Sequence, residues 1–241
     1  MLVLLAVSCQ EKADKNPLLS KFDTPYQTPP FDKIKHEHYM PALDSAISVA
    51  RHEIDAIVNN TEEPTFENTI EALDHSGKLL ADVSNILFNL NEAETDSVLQ
   101  QIVIEASPKL TDFSNDINLN PELFKRVKAV WEKRDSLKLT PEQMMLVDKT
   151  YKGFVRNGAN LSEADKEKYR AISRELSELT VKFNQNVLAE TNSYKLHITN
   201  EADLAGLPQS LIDAAAYTAK QKGLEGWVIT LDYPMYGPFM K

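Results

Sequence analysis

The chain has 241 residues, enough to bury a substantial core as one large or two small domains. With 36 acidic against 26 basic residues the formal net charge is −10, and no run of Lys or Arg interrupts that acidity, which excludes a nucleic-acid interface built on phosphate neutralisation. Cys9 is the only cysteine, so neither an internal disulfide nor a thiolate zinc cluster is available.

Met1 to Val7 are almost wholly apolar, but the run falls short of the roughly 20 residues that a membrane-spanning helix needs. It reads as the end of a signal peptide. Ala6-Val7-Ser8-Cys9 resembles a bacterial lipoprotein cleavage box, in which the cysteine becomes the lipidated first residue; a truncated ordinary signal or a chance apolar start are the other readings. Residues 1–9 are thus a leader remnant with Cys9 as the lipid-attachment residue. Residues 10–30 carry Pro17, Pro25, Pro29 and Pro30 without apolar periodicity and read as a flexible tether, with Pro29-Pro30 also able to serve as a polyproline ligand. Together these features place the protein in the bacterial cell envelope, periplasm-facing or secreted, touching the membrane only through a lipid anchor.

From Phe31 the punctuation is that of successive helices. Pro41 sits where a first turn accepts it, followed by an apolar stripe of Leu43, Ile47, Ala50, Ile54 and Ile57. In Pro64-Thr65-Phe66-Glu67, Thr65 can cap a helix and Glu67 favours its positive end. The spacing of Phe66, Ile70, Leu73, Leu80, Val83, Leu87 and Leu90, with Gly77 on the same stripe, predicts one long helix. Thr95 and Asp96 can cap another that carries Val98, Ile102, Ala106, Leu110, Phe113 and Ile117, which Pro108 should kink or split. Asn120-Pro121-Glu122 and Thr140-Pro141-Glu142-Gln143 each put a capping residue before a first-turn proline, the second as a capping box.

Ser162-Glu163-Ala164-Asp165 opens the longest pattern, in which Tyr169, Ile172, Leu176, Leu179, Phe183 and Val187 alternate three- and four-residue steps. Such a stripe is expected to pack as core against neighbouring helices. Near residue 194 the texture changes: 194–199 and 227–232 are strand-like, with a helix between Pro208 and Gly223. The stretch from Pro234 to Lys241 shows no terminal helix. The fold class is therefore all-α, a multilayer helical domain over 31–193, with a small two-stranded β element in a strand-helix-strand segment over 194–241.

The run from Pro64 through Gly77 to Leu90 resembles the N-terminal region of the thimet-oligopeptidase and peptidyl-dipeptidase family of zinc metallopeptidases. Further tags follow in that family's order. They are Glu37-His38-Tyr39-Met40-Pro41-Ala42, Leu119-Asn120-Pro121-Glu122-Leu123-Phe124, Phe154-Val155-Arg156-Asn157-Gly158-Ala159, Phe183-Asn184-Gln185-Asn186-Val187-Leu188 and Leu204-Ala205-Gly206-Leu207-Pro208. The resemblance covers residues 31 to 241 and is greatest to the bacterial peptidyl-dipeptidase branch. It implies the wall of a channel that admits short peptides, in a parent protein that releases C-terminal dipeptides with zinc. It also implies that 194–241 leads into a catalytic domain missing from this chain.

Zinc chemistry of that kind uses two histidines one helical turn apart and a glutamate between them, H-E-x-x-H. His36-Glu37-His38-Tyr39-Met40 and His52-Glu53-Ile54-Asp55-Ala56 each lack the second histidine, so no catalytic and no metal-binding residue is assigned. His36 and His38 bind a metal only if other ligands converge on them; His52, His75 and His197 read as surface or satisfied packing residues. Gly206 and Gly223 to Gly226 form turns, without a phosphate-loop pattern. By itself the chain is expected to be inactive and to expose normally covered apolar faces, so that it self-associates. The competing reading is a non-enzymatic helical lipoprotein that acts as adaptor or scaffold.

Overall fold

A computed structural model describes residues 15–241. They form two compact units, the first ending at Glu178 and the second running from Leu179 to Lys241. The architecture is all-α with one small antiparallel sheet.

In the first unit, α1 (His36–Val58) packs against α3 (Lys78–Ala93) and α4 (Ser97–Asn118). Ala42, Leu43, Ala46 and Ala50 lie on one face of α1 and are fully or almost fully buried, as are Val83, Leu87 and Ala106. The small alanines let the helices approach closely. α1 begins before its proline: Lys35 is the N-cap, its backbone N–H donates to His38 Nδ1 (3.0 Å), and Pro41 lies inside the helix beyond the expected first turn. Pro108 likewise sits within α4, which runs on through it unsplit.

The segment read as a tether is held at one point. Leu18, in a short turn at Pro17–Leu19, is only 2% exposed, and Asn16 donates from its side-chain amide to the His38 carbonyl (2.8 Å).

The long helix expected after Thr65 is broken. A π-helical turn spans Phe66–Glu71 and α2 covers only Ala72–His75. Ser76 is then extended, and Gly77 (φ 73°) takes a left-handed conformation before α3 starts. The apolar stripe is continuous in sequence, but the backbone turns where glycine permits a positive φ at no side-chain cost. The Gly77 N–H does not join a helical ladder and instead donates to Glu53 Oε2 (2.7 Å).

α5 (Pro121–Lys133) and α6 (Pro141–Arg156) start as their capping residues predict: Asn120 accepts from Glu122 and Leu123, and Thr140 exchanges bonds with Gln143. They pack Leu123, Phe124, Val127 and Val130 against Val147 and Phe154. Trp131 stacks on Tyr151 (4.1 Å between centroids), and Arg134 covers the other side of the indole at 4.1 Å. The indole N–H donates to Asp148 Oδ1 (2.9 Å), and Lys152 donates to the same carboxylate.

α7 (Glu163–Ser193) departs furthest from expectation. Within the first unit its line of contacts to α4 is polar: Arg170 pairs with Asp116 (2.8 Å), Arg174 pairs with Asp112 (2.8 Å), and Ser173 accepts from Asn115 (2.8 Å). Its heptad stripe is not core. Ile172, Leu176, Leu179 and Phe183 are 64%, 62%, 54% and 66% exposed.

In the second unit β1 (Leu196–Ile198) pairs antiparallel with β2 (Trp227–Ile229) in the register His197 to Val228. Two strands alone are marginal, and α8 (Gln209–Gln221) covers them with Leu211 and Ala215 against Ile198 and Ile229. Gly226 has φ 83°, and a Cβ there would lie 2.4 Å from the Ile198 carbonyl oxygen. Where no terminal helix was expected, α9 (Tyr233–Phe239) forms and places Met235 and Phe239 on the same core.

Hydrogen bonds from Lys152 and then Trp131 hold the Asp148 carboxyl below the usual carboxylate range. Unfolded Asp148 takes up its proton at higher pH than native Asp148. Its stabilising contribution is therefore complete above the usual range and lost as pH falls through the depressed native value. Thermal unfolding followed from neutral to acid pH should lose less on the acid side in Asp148→Asn than in the parent chain; equal losses would show that this carboxylate is not coupled to the fold.

Candidate functional site

The polar groups of the first unit gather around the turn that leaves α1, residues 59–65. Arg126 projects from the apolar stripe of α5 between Leu123 and Val130 and is only 8% exposed. Its Nη1 donates to the carbonyls of Asn60 (2.7 Å) and Glu62 (3.2 Å). Its Nη2 reaches Asn68 Oδ1 (3.1 Å) and Thr69 Oγ1 (3.4 Å), while buried Nε has no partner.

Asn68 is the hub of this arrangement. Its Oδ1 accepts from the Thr65 N–H (2.9 Å), its own N–H donates to Thr65 Oγ1 (3.2 Å), and its side-chain amide donates to the Glu63 carbonyl (3.0 Å). The pair is a capping box with Asn in the third position, which fixes the entry to the π-helical turn. A cation held by carbonyls and an amide, without a carboxylate, braces the turn and leaves the nearby glutamates free to face solvent.

Three clefts ring this turn. One, about 390 Å³, lies over Asn60, Glu62, Glu63 and Arg126. A second, about 410 Å³, is lined by Glu53, Asn60, Asn68, His75 and Ser76. The third, about 360 Å³, lies past Val58 where Asp116, Glu122, Glu163, Lys166 and Arg170 meet. In the third cleft Asp116 accepts from Arg51 (2.7 Å) as well as from Arg170, and buried Lys166 donates to Glu163 (2.9 Å). The surface therefore offers charges of both signs, with carboxylates in excess at the rims.

None of these groups forms an activated nucleophile. Ser76 Oγ donates to the Leu73 carbonyl (2.7 Å) and not to its neighbour His75. The sequence histidines are dispersed. His36 Nε2 lies 3.1 Å from Asp96, the N-cap of α4, and His38 caps its own helix. Asp96 is held below the usual carboxylate range by the Leu99 N–H first and then by His36. His52 is exposed on α1, and His197 Nε2 meets the Glu225 carbonyl at 2.7 Å. His36 and His38 do not converge with other ligands, and among the described residues no three His, Cys, Asp or Glu side chains gather as a metal site. Cys9 lies outside the described residues. Among those residues, no helix is long and apolar enough to cross a membrane.

Arg126 and Lys166 were not singled out by the sequence. A signal existed for Arg126, which interrupts the stripe Leu123, Phe124, Val127, Val130; Lys166 lies off the stripe of its helix and gives none.

No protein-family profile matches the chain. Its relatives are peptidases. Dipeptidyl carboxypeptidase of Escherichia coli (strain K12) is 42% identical over 217 residues, covering 90% of this chain and 32% of that protein. The Salmonella typhimurium protein of the same name is 43% identical over 217 residues with the same coverage. Oligopeptidase A of Escherichia coli (strain K12) is 31% identical over 225 residues, covering 93% of this chain and 32% of that protein. The chain belongs to the thimet oligopeptidase and dipeptidyl carboxypeptidase family, matches its N-terminal region, and spans about a third of the length of these relatives. The adaptor or scaffold alternative finds no support among them.

Removing the Arg126 guanidinium takes their donor from the Asn60 and Glu62 carbonyls and from Asn68 Oδ1 and leaves a gap in the apolar interface of α5. Arg126→Ala is expected to cost about 2–3 kcal/mol in denaturant unfolding, and Arg126→Lys to recover only part of it, because one ammonium cannot span both carbonyls and Asn68. Unchanged stability in the alanine variant would refute the bracing role.

Proposed function

We propose that this chain is the N-terminal, channel-wall part of a zinc metallopeptidase that cleaves short peptides and releases dipeptides from their C-termini. The observation that carries the proposal is the 42% identity over 217 residues to dipeptidyl carboxypeptidase, against 31% over 225 residues to oligopeptidase A from the same organism. The difference favours dipeptide release over general oligopeptide cleavage. In this reading the rims of the three clefts contribute to the wall that short peptides pass.

The residues present do not fit a zinc ion: both near misses of H-E-x-x-H lack its second histidine, and among the described residues no three His, Cys, Asp or Glu side chains gather as a metal site, His36 meeting only Asp96. No catalytic step is therefore assigned to any residue here. The zinc ligands are proposed to lie in a catalytic domain outside these 241 residues, and the chain alone to be inactive. We further assign the protein to the cell envelope, periplasm-facing or secreted, with Cys9 as its lipid-attachment residue.

Purified as it stands, the chain should bind zinc no more tightly than a surface histidine does and release no dipeptide from short peptides. Continuation through the downstream reading frame should supply both properties. Dipeptide release by the 241-residue chain would overturn the division of labour, and a full reading frame without H-E-x-x-H would overturn the peptidase assignment. Separately, Cys9→Ala should move the protein from the membrane to the soluble fraction; identical fractionation of the two would refute the anchor.

A further inference from the structure

The segment before α1 is docked, and the dock ties the start of α1 to Cys9. Leu18 is buried and Asn16 donates to the His38 carbonyl (2.8 Å). Cys9 stands nine residues before Leu18, and nine residues stretch no further than about 30 Å. A lipid on Cys9 therefore keeps the start of α1 within that distance of a bilayer surface. What this segment shows to solvent differs from the rest of the chain. Tyr26 is 99% exposed, Phe31 54% and Leu19 39%. Residues 15–38 carry four lysines against three carboxylates, in a chain whose formal net charge is −10, and Lys21, Lys33 and Lys35 are exposed. Tyr26 is held out by a closed turn. The Gln27 N–H donates to the Thr24 carbonyl (2.9 Å), Thr28 Oγ1 donates to the Pro25 carbonyl (3.1 Å), and Thr24 Oγ1 donates to the Thr28 carbonyl. Tyr26 and Gln27 both take a left-handed conformation (φ 58° and 57°), which costs residues other than glycine free energy and leaves the ring clear of the body. A second turn follows Pro29-Pro30, where the Phe31 N–H donates to the Pro29 carbonyl (2.9 Å) and the Lys33 N–H to the Pro30 carbonyl (2.9 Å).

We propose that residues 19–35 are a second membrane contact, in which Leu19, Tyr26 and Phe31 enter the headgroup layer and Lys21, Lys33 and Lys35 meet anionic headgroups. The contact rests on Cys9 as the lipid-attachment residue. A tyrosine suits that layer because its ring is apolar while its hydroxyl stays wet. Lysines bring their charge to the headgroups and lay their methylene stems on apolar neighbours. Asp23 and Asp32 lie among them, so the electrostatic attraction is modest and the aromatic rings carry most of the contact. A lipid surface is the occupant that the attachment residue itself delivers, since acylation brings the bilayer within reach of this segment and of no partner in particular. The acidic excess that anionic lipids repel is also absent from it. An acyl anchor gains from a second signal of this kind. The buried Leu18 then has a use: it turns what would be a loose spacer into a fixed orientation, with the start of α1 toward the membrane.

The single cysteine makes the contact measurable. In the whole 241-residue chain carrying Cys9→Ala, Gln27→Cys receives a polarity-sensitive fluorophore, and Met145→Cys on α6, at a position 55% exposed, serves as the reference. Vesicles of phosphatidylethanolamine and phosphatidylglycerol should shift the emission at position 27 to the blue and leave that at position 145 unchanged. Tyr26→Ser with Phe31→Ser, both at exposed positions, should keep the circular-dichroism spectrum and weaken vesicle binding roughly tenfold. Pure phosphatidylcholine should bind less than the anionic mixture; equal binding overturns the role of the lysines. No shift at position 27, or an equal shift at both positions, overturns the contact. A shift that survives the double serine variant overturns it too and assigns binding to the apolar leader that all the variants share. Every variant lacks Cys9, so a failure of the lipid-attachment reading, seen as unchanged fractionation of Cys9→Ala, leaves the vesicle result standing and the two fail separately.

Discussion

The first unit depends on one buried cation. Arg126 enters the apolar interface between α5 and the π-helical turn and carries no carboxylate with it; its charge is met by two backbone carbonyls, the Asn68 amide oxygen and the Thr69 hydroxyl. A buried ion in such a place is tolerated only where dipoles replace its water, and those dipoles come from the turn that leaves α1. The guanidinium therefore fixes the turn, the turn positions Thr65 and Asn68, and their reciprocal bonds start the π-helical turn that buries Phe66, Thr69 and Ile70. Two clefts open beside this node, one over Asn60, Glu62, Glu63 and Arg126 and the other along Asn60 and Asn68.

Much of this was legible in sequence where the cause is local. Asp96, Asn120 and Thr140 cap helices as their residue types predict, because a side-chain oxygen meets an orphan N–H within three residues. The motif from Pro64 to Ile70 was recognised as a helix start, yet its π geometry and its dependence on Arg126 were not. The guanidinium lies 58 residues from Asn68, and no local pattern encodes that meeting. Gly77 shows the same limit. Apolar spacing runs through it, but the left-handed turn is secured by Glu53 from another helix.

The site was less legible than the fold for a related reason. Sequence reasoning looks for reactive types at fixed spacing, and the five histidines satisfied the type without the convergence. His36 and His38 are two residues apart and face different duties, one toward Asp96 across the chain and the other back to Lys35. The peptidase family was nevertheless visible, because its tags are structural. Leu119 to Phe124 is a helix cap with its core residues, and Phe154 to Ala159 is a core phenylalanine followed by the left-handed Gly158 (φ 92°). What the sequence transmits here is a scaffold, and the scaffold carries the family signature.

α7 shows how a correct periodicity can be assigned to the wrong partner. The heptad stripe is real and helical, but periodicity reports only which residues share a face and not which side of the helix the rest of the chain occupies. Inside the first unit that side is chosen by Asp112, Asn115 and Asp116 of α4, which demand polar partners and receive Arg174, Ser173 and Arg170. Ion pairs this exposed contribute about 0–1 kcal/mol each. Burying one large apolar side chain completely contributes about 1.5–3 kcal/mol. The stripe therefore holds more unrealised free energy than the contacts α7 makes with α4.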